Sequence, residues 1–248
     1  GTESLPDTLG RHELSITWRY QAQMNNEWAD IPGYHTTSHP MYLLMGPTQV
    51  PDGRSLNASP PVSWIGVIEE LADAITGLPA NNTAVVMDRL RETLHNDPWF
   101  VYNPSIPAYS DFEGPYIYWD DIWVEMTNWL DRSEGVALYC HSVACVLSSQ
   151  ANHLGIEAHY LTLGVGFRTH LTRAAGSDDW RQWSFNSHGI TEFDGEVWDA
   201  AVDIDGDSNP DKQPVDPIQP MGLSVDEYFE LLTADDIETV NFGRCFVY

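Results

Sequence analysis

The spacing of apolar residues changes at Gly155, and this change constrains the fold more than any other feature. Before the glycine, six apolar residues lie on one helical face: Cys140, Val143, Ala144, Leu147, Ala151 and Leu154. After it come strand-like runs over 156–163, 184–193 and 196–204. The pattern predicts a helix that begins at or just before Cys140 and is capped by Gly155, followed by antiparallel strands. Asp194-Gly195 predicts a hairpin turn between the last two strands.

The remainder of the chain predicts more helices and an N-terminal β-rich segment. Alternating side chains over 14–20 are typical of a half-buried strand, and Gly, Pro, Asn and Ser residues over 46–61 indicate a linker. We therefore divide the chain into a β-rich segment, 1–60, and a main domain, 61–248. Helices are predicted over 64–75, 84–94, 120–130 and 224–232, with a loop over 98–115. This order of elements indicates an α+β domain with helices packed on an antiparallel sheet.

Charge excludes some classes of function. The 248 residues contain 37 acids and 11 Lys or Arg residues, a formal charge of −26, and Lys212 is the single lysine. Nucleic acid and anionic membranes are recognised through clustered basic residues, so neither is an expected partner. The acids are spread along the chain, which is typical of a solvated, self-repelling surface. We expect a monomer.

Cys140 is the candidate nucleophile. A thiol at a helix N-terminus is exposed to the positive end of the helix dipole, which favours the thiolate. Acyl transfer by a thiolate also needs an imidazole and a third group that orients it. His188 and Asp199 lie on the two strands of the predicted hairpin, whose turn would place them nearly opposite each other. Cys145 lies deeper in the apolar helix, where a thiol stays neutral.

These residues resemble the bacterial transglutaminase-like superfamily. The resemblance covers roughly 60–205: the cysteine-headed helix, Leu154-Gly155-Ile156-Glu157-Ala158, the strand with His188, and Val197-Trp198-Asp199-Ala200. It implies a papain-like core in which Cys140 is the nucleophile, His188 the general base and acid, and Asp199 the orienting carboxylate. Two features depart from the usual pattern. Leu138-Tyr139 replaces Gly-x before the cysteine, and no aromatic residue follows His188 closely.

Several site residues have competing candidates. Asp203 could replace Asp199 as the orienting group, and His159 or His170 could replace His188. Three aromatic residues are candidates for the substrate channel: Tyr139, Trp180 and Trp183. A zinc site from Cys140, His141 and Cys145 does not fit the usual ligand spacing. With three cysteines, a Cys145–Cys245 disulfide is more plausible than one within the helix.

An acidic stretch after the predicted hairpin is a candidate calcium loop. Oxygen ligands recur at every other position: Asp203, Asp205, Asp207, Asn209 and Asp211. Alternating carboxylates suit Ca²⁺, although the glycine position does not match an EF-hand. A bound calcium ion would hold the loop that leaves the candidate catalytic hairpin. No other cofactor is expected.

The leading hypothesis is a thiol-dependent enzyme that acts on protein or peptide amides through a Cys140 thioester, as a peptidase, deamidase or cross-linking enzyme. The second hypothesis is an inactive transglutaminase-like surface or adhesion module with a calcium-stabilised loop. A third is a metal-dependent hydrolase that uses the acidic stretch. We expect a secreted or cell-surface protein, or part of a larger bacterial protein.

Overall fold

The computed structural model describes residues 6–47, 62–102, 113–118, 121–124, 136–164, 166–206, 217–236 and 239–247. Within them lie four helices: α1 (Val62–Ala74), α2 (Thr83–His95), α3 (Cys140–His153) and α4 (Val225–Leu232). The mixed helix and sheet composition confirms the α+β class. The predicted boundary near residue 60 lies outside the described residues.

An antiparallel hairpin, β1 (Gly10–Met24) with β2 (Glu27–Leu43), forms most of the described N-terminal segment. Asn25 and Asn26 both have positive φ, +52° and +66°, as a type I′ turn requires, and this turn matches the twist of the strands. The base of the hairpin packs on the loop after α1, where a Cβ on Gly10 would lie 2.4 Å from Oγ1 of Thr76. The prediction of an alternating strand is confirmed, but most of its side chains are exposed rather than half-buried.

The main sheet has seven strands, in the order β15-β13-β12-β7-β16-β5-β4. Its members are β4 (Glu113–Tyr118), β5 (Asp121–Val124), β7 (His159–Leu163), β12 (His188–Phe193), β13 (Glu196–Trp198), β15 (Met221–Ser224) and β16 (Thr239–Val247). All neighbours are antiparallel except β16 and β5. Strand β16 therefore joins the four strands from β15 to β7 to the pair of β5 and β4.

Helix α3 is the central element of the domain. Every residue from Ser142 to His153 is buried, since the helix lies against β7, β12 and β16 and also contacts α2. Two of its buried polar side chains bond locally: Ser148 Oγ donates to the Ala144 carbonyl at 2.8 Å, and Asn152 Nδ2 to the Ala158 carbonyl at 2.9 Å. A helix surrounded in this way holds its first residue in a fixed position relative to the sheet.

Smaller sheets flank the core. The parallel pair is β3 (Phe100–Tyr102) with β6 (Val136–Leu138); the others combine β8 (Phe167–Arg168) with β11 (Ser184–Phe185), and β9 (Thr172–Ala174) with β10 (Trp180–Arg181) and β14 (Val202–Ile204). Ser224 and Glu227 form a capping box at the start of α4.

Four predictions about elements differ from the structure. The predicted strand over 184–193 is divided into β11 and β12, which belong to different sheets. The predicted helix over 120–130 is wrong at its start, because Asp121–Val124 is a strand paired with the distant β16. Its later part lies outside the described residues. The predicted loop over 98–115 contains β3 and the first residues of β4. The predicted strand over 196–204 is interrupted after Trp198, and β14 then joins a different sheet.

The helices over 64–75, 84–94, 140–154 and 224–232 are confirmed within one or two residues. Gly155 has φ +88° directly after α3, as its predicted capping role requires. Among the described residues, no helix is long and apolar enough to span a membrane.

Candidate active site

Cys140 is the first residue of α3 and is 3% exposed. Tyr139 precedes the helix in extended conformation and makes no side-chain capping bond, so its backbone alone begins the helix. The thiol donates to the Ser187 carbonyl, 3.9 Å from Sγ. The sulfur therefore lies where the positive end of a buried helix meets the start of β12.

His188 begins β12 and is fully buried. Its neighbour Gly189 explains how the strand approaches the helix so closely, since a Cβ on Gly189 would lie 2.7 Å from the Cα of His141. A larger residue would push β12 away from the first turn of α3. This contact gives a physical reason for the missing aromatic residue after the histidine.

Asp199 lies just after β13, where it interrupts the predicted strand. Its Oδ1 accepts a hydrogen bond of 2.7 Å from the backbone N–H of Ala201, an Asx-type turn that directs the chain away from β13. Its Oδ2 accepts from Nε2 of His188 at 2.8 Å. The structure therefore brings Cys140, His188 and Asp199 together.

The hairpin register differs from the predicted one. Asp194 and Gly195 form the turn, with φ of +53° and +81°, but the pairs that follow are Phe193 with Glu196 and Thr191 with Trp198. Asp199 would continue this register beside Ile190, not His188. His188 therefore contacts Asp199 diagonally, since it lies two residues before Ile190 on the same face of β12.

Tyr228 is a site residue that the sequence did not indicate. It lies in α4, is fully buried, and its hydroxyl donates to Oδ2 of Asp199 at 2.7 Å. The same oxygen accepts from His188, so the two donors hold it from two sides. Nothing in the local sequence distinguishes Tyr228 from a core aromatic residue, because the contact joins residues 29 apart.

Electrostatic interactions in this cluster favour a charged imidazole. Burial opposes the charge on the His188 ring, but the Asp199 carboxylate and the Cys140 sulfur outweigh it and raise the pKa of His188 to about 10. Burial likewise opposes the Asp199 charge, yet His188, Tyr228 and the Ala201 N–H hold the pKa of Asp199 below its usual value. The second ring nitrogen, Nδ1 of His188, has no hydrogen-bond partner among the described residues. Because Cys140 is one of the groups that raise the pKa of the ring, this nitrogen is the candidate partner of the thiol.

An aromatic cluster lies beside the histidine. The Phe185 ring is 4.7 Å from the His188 ring and stacks on Trp183, which meets Tyr102 edge to face at 5.6 Å. Burial and the nearby Cys140 sulfur raise the pKa of Tyr102. Trp183, a predicted channel residue, therefore lies next to the candidate site. Tyr102 and Phe185 lie there too, although the sequence analysis did not name them.

The other two predicted channel residues have different surroundings. Tyr139 directly precedes the cysteine and packs against His141, with ring centroids 5.2 Å apart. Trp180 lies in β10, with its ring centroid 5.8 Å from Cζ of Arg173. Arg173 pairs with Asp203, so Trp180 lies beside that ion pair rather than beside the thiol.

His141 is the other imidazole near the cysteine. Its Nδ1 bonds the Tyr160 hydroxyl and its Nε2 lies 3.0 Å from Oγ of Ser187. Burial and the positive charge of His188 lower the pKa of His141 to about 4. It is therefore neutral at pH 7 and contributes a fixed hydrogen-bonding side chain rather than a second charge.

Asp203 belongs to a separate buried cluster. Oδ1 pairs with Arg91 and Oδ2 with Arg173, both at 2.5 Å, and Nε2 of His95 lies 3.2 Å from Oδ2. Burial opposes the charge on this carboxyl, but these partners hold the pKa of Asp203 far below its usual range. Asp203 consequently does not take the place of Asp199 beside His188, and its two carboxylate oxygens pair with Arg91, Arg173 and His95.

The two histidines considered in place of His188 have partners of their own. Nδ1 of His159 lies 3.2 Å from Oε2 of Glu192, and the backbone N–H of His170 donates to the Leu232 carbonyl. Neither residue pairs with Asp199, whose described donors are His188, Tyr228 and Ala201.

The rest of the candidate calcium loop is described only in part. Asp205 is fully buried, while Asp207, Asn209 and Asp211 lie outside the described residues. The side chain of Cys245 also lies outside them, and with it the suggested disulfide. No group of three or more ligating side chains occurs in the part of the chain that the structure describes.

An open polar pocket lies near the Asp203 cluster rather than at the thiol. His95, Asp97, Phe100, Arg173 and Asp178 line part of it. His95 and Arg173 also bind Asp203, so the carboxylate cluster forms one wall of the pocket.

Comparison with known proteins finds no matching family model, no similar curated protein and no similar solved structure at a significant level. The interpretation of the site therefore depends on the geometry of its own residues.

Proposed function

We propose that this protein is a thiol-dependent acyl transferase or amide hydrolase with a papain-like, transglutaminase-like core. The observation that supports this proposal best is the His188–Asp199 ion pair, buried beside a cysteine at the N-terminus of the central helix. A catalytic imidazole needs such a carboxylate to fix its orientation.

The first half-reaction forms a thioester. The Cys140 thiolate attacks the carbonyl carbon of a carboxamide or peptide bond, and the positive end of α3 faces the developing oxyanion. The C–N bond then breaks, and His188 gives its proton to the departing nitrogen. Water or an amine attacks the thioester in the second half-reaction, His188 takes the proton of the attacking group, and the C–S bond breaks.

Asp199 and Tyr228 act through the imidazole. Asp199 holds Nε2 of His188, which leaves Nδ1 for the proton exchanged with sulfur and substrate. Tyr228 and the Ala201 N–H hold the carboxylate in one orientation. Both are therefore positioning residues.

Proteins or peptides with accessible amides are the proposed substrate class. The aromatic cluster of Tyr102, Trp183 and Phe185 lies beside the imidazole and suits the apolar part of a peptide side chain. An overall charge of −26 favours neutral or basic peptides over acidic ones.

The decisive experiment measures alkylation of each cysteine by iodoacetamide at about pH 6, where an unperturbed thiol is almost fully protonated. Peptide mass spectrometry then locates the modified residue. In the native wild-type protein we expect Cys140 to react faster than Cys140 of the urea-unfolded chain, because the neighbouring imidazolium stabilises the thiolate. His188→Ala should remove this difference.

Cys145 supplies the internal control, since it lies in the same helix and is 1% exposed but is distant from the helix end. It should stay unmodified in the native protein. If Cys140 is also inert until the protein unfolds, or reacts equally in His188→Ala, the thiolate–imidazole pair does not exist and the proposal is wrong.

A trapping experiment separates the possible second half-reactions. Hydroxylamine and a mixture of glutamine-containing peptides are incubated with the wild type and with Cys140→Ala. Peptide hydroxamates that depend on Cys140 indicate an acyl-enzyme that accepts amines. Deamidated or cleaved peptides without hydroxamate indicate transfer to water.

A further inference from the structure

One exposed arginine lies on the aromatic cluster beside the candidate site. Cζ of Arg181 is 3.7 Å from the ring centroid of Trp183, so the guanidinium is in cation–π contact with the indole face. Trp183 in turn meets Tyr102 edge to face at 5.6 Å and stacks with Phe185. The apolar contacts proposed for this cluster give the positively charged arginine no role.

Backbone contacts hold both residues of this stack in place. Strand β10, which contains Arg181, pairs with β9, and Oγ1 of Thr172 donates to the Arg181 carbonyl at 3.4 Å. The backbone N–H of Trp183 donates to Oγ1 of Thr169, and its carbonyl accepts from the Thr169 N–H, both at 2.9 Å. The guanidinium and the indole ring are therefore carried by an ordered backbone, which reduces the freedom that the stack loses when a ligand binds.

Arg181 has no acidic partner among the described residues, although the chain contains 37 acids and 11 Lys or Arg residues. Seven arginine side chains are described, and four of them pair with a carboxylate: Arg11, Arg89, Arg91 and Arg173. Arg19 and Arg168 also lack such a partner there, but of these three Arg181 alone lies over a described aromatic ring. The exposed charge of Arg181 is therefore open to a ligand.

A guanidinium that stacks on a ring can still form hydrogen bonds. The cation–π contact uses its flat face, whereas its N–H donors lie in the plane of the group and point outward. This fork of donors matches a carboxylate, which accepts two parallel N–H bonds. A phosphate dianion also matches the fork, but a chain with a charge of −26 repels two negative charges more strongly than one. A carboxylate is therefore the favoured ligand.

We propose that Arg181 determines substrate specificity by binding a carboxylate of the peptide close to the amide that Cys140 attacks. This inference rests on the proposed function and narrows its substrate class. Separations of 3.7 Å, 6.5 Å and 4.7 Å lead from the guanidinium through the two rings to the imidazole of His188, a span of at most about 15 Å, or four to five extended residues at about 3.3 Å each. The carboxylate, of Asp, Glu or the peptide C-terminus, therefore lies within about four residues of the target amide.

The contact with Arg181 and the net charge of the protein act over different distances. The charge of −26 repels a peptide of net negative charge as a whole, wherever its acids lie in the sequence. Arg181 acts at one position and attracts a carboxylate only when the peptide places it there. The expected substrates are therefore neutral or basic overall and have one acid close to the target amide.

A series of synthetic peptides tests this inference with the whole chain. Each peptide has one glutamine as the target amide, one Glu within about four residues of it, one distant Lys, and blocked termini. Its matched control is an isomer of the same composition and net charge whose Glu lies about eight residues from the glutamine, beyond the reach of the guanidinium at about 3.3 Å per residue. A peptide without Glu but with an unblocked C-terminus close to the glutamine distinguishes a terminal carboxylate from a side chain. The measured quantity is kcat/KM for products that depend on Cys140.

In the wild type we expect kcat/KM to be about fivefold higher for the best peptide with a nearby Glu than for its isomer, the upper range for an exposed ion pair. Arg181→Gln should abolish this preference, because glutamine keeps a polar side chain but lacks the charge and the fork of donors. Arg19→Gln is the matched control: it removes the same charge from the hairpin of β1 and β2, at an exposed arginine that also lacks a described acidic partner, and should retain the preference.

Binding of the same peptides to Cys140→Ala, measured by calorimetry, separates this inference from the proposed function. If the wild type forms no product but Cys140→Ala prefers the nearby Glu, and Arg181→Gln in the same background removes that preference, Arg181 recognises a carboxylate and only the proposed chemistry is wrong. Two results would overturn the inference. One is the absence of a preference for nearby Glu or C-terminal carboxylate in both assays, and the other is a preference that Arg181→Gln leaves unchanged or that Arg19→Gln reduces equally.

Discussion

At the scale of single residues, the Asp199 carboxylate organises the candidate site. It accepts hydrogen bonds from the ring of His188, the hydroxyl of Tyr228 and the backbone of Ala201. Three donors around one buried carboxylate compensate for the loss of its hydration. The orientation of the imidazole is consequently set by residues from β12, the turn after β13, and α4.

Replacing Tyr228 with Phe should test this arrangement without altering packing. The variant loses one donor to a buried carboxylate, which should lower the free energy of unfolding at pH 7 by about 1–3 kcal/mol. Urea denaturation measures this change, and Tyr42→Phe, which loses only a bond to Glu69 near the surface, should fall within about 0.5 kcal/mol of wild type. Equal stability of the Tyr228→Phe variant and the wild type would contradict the assigned hydrogen bond.

The raised pKa of His188 predicts a stability change on the alkaline side. A group whose pKa rises from 6.5 to about 10 on folding contributes stability that is fully present below pH 6.5 and is lost as the pH rises toward 10. The difference in unfolding free energy between wild type and His188→Gln should therefore shrink over this interval. Denaturation curves at several pH values measure it, and a difference that stays constant between the two pKa values would contradict a charged imidazole.

At the scale of elements, a buried arginine is a main link between α2 and the strand region after β13, beside His95 of the same helix. Arg91 is fully buried, donates to the carbonyls of Asp199 and Val202 at 2.8 Å and 3.0 Å, and pairs with Asp203. The same guanidinium thus supports the backbone of the candidate catalytic aspartate and the carboxylate of its neighbour. The two acids differ in role because their partners come from different elements.

Arg91→Leu should reveal the strength of this connection. Removing the guanidinium takes one partner from a buried carboxylate and should cost about 3–5 kcal/mol of stability. Arg89→Leu is the control on the same helix, since the Arg89 side chain is 46% exposed and its ion pair with Glu92 is long, at 3.9 Å, so a loss of at most about 1 kcal/mol is expected. Chemical denaturation of both variants measures the difference, and similar losses would contradict the role assigned to Arg91.

At the scale of the whole molecule, the large negative net charge is the main electrostatic influence on folding stability. A charge of −26 on 248 residues opposes the compact state through self-repulsion, and the described ion pairs that are buried concentrate around Asp199 and Asp203. Dissolved salt should therefore weaken the repulsion between exposed acids and have little effect on the buried ion pairs of Asp199 and Asp203.

The melting temperature should consequently rise as NaCl increases from about 0.01 M to about 0.2 M, where the screening length falls from about 30 Å to less than about 10 Å. Differential scanning calorimetry measures the effect, and an uncharged osmolyte at matched osmolality serves as the control for solvent exclusion. A melting temperature that is independent of salt in this range would show that the acids do not oppose folding.

Local patterns in the sequence determined the elements whose stabilising contacts are close along the chain. Four helices, the Gly155 cap and the hairpin turn at Asp194-Gly195 follow from periodicity, backbone propensity and side chains a few residues apart. The candidate site was predicted as far as Cys140, His188 and Asp199, since each occupies a distinct place on such an element.

Tertiary structure decided what depends on contacts between distant residues. Asp121–Val124 is a strand because β16, more than about a hundred residues later, pairs with it. Tyr228 and Arg91 reach Asp199 from α4 and α2, and neither contact leaves a local pattern. The alternating side chains of β1 determined that it is a strand, but only the assembled chain left most of those side chains exposed, because packing, unlike periodicity, depends on which elements lie nearby.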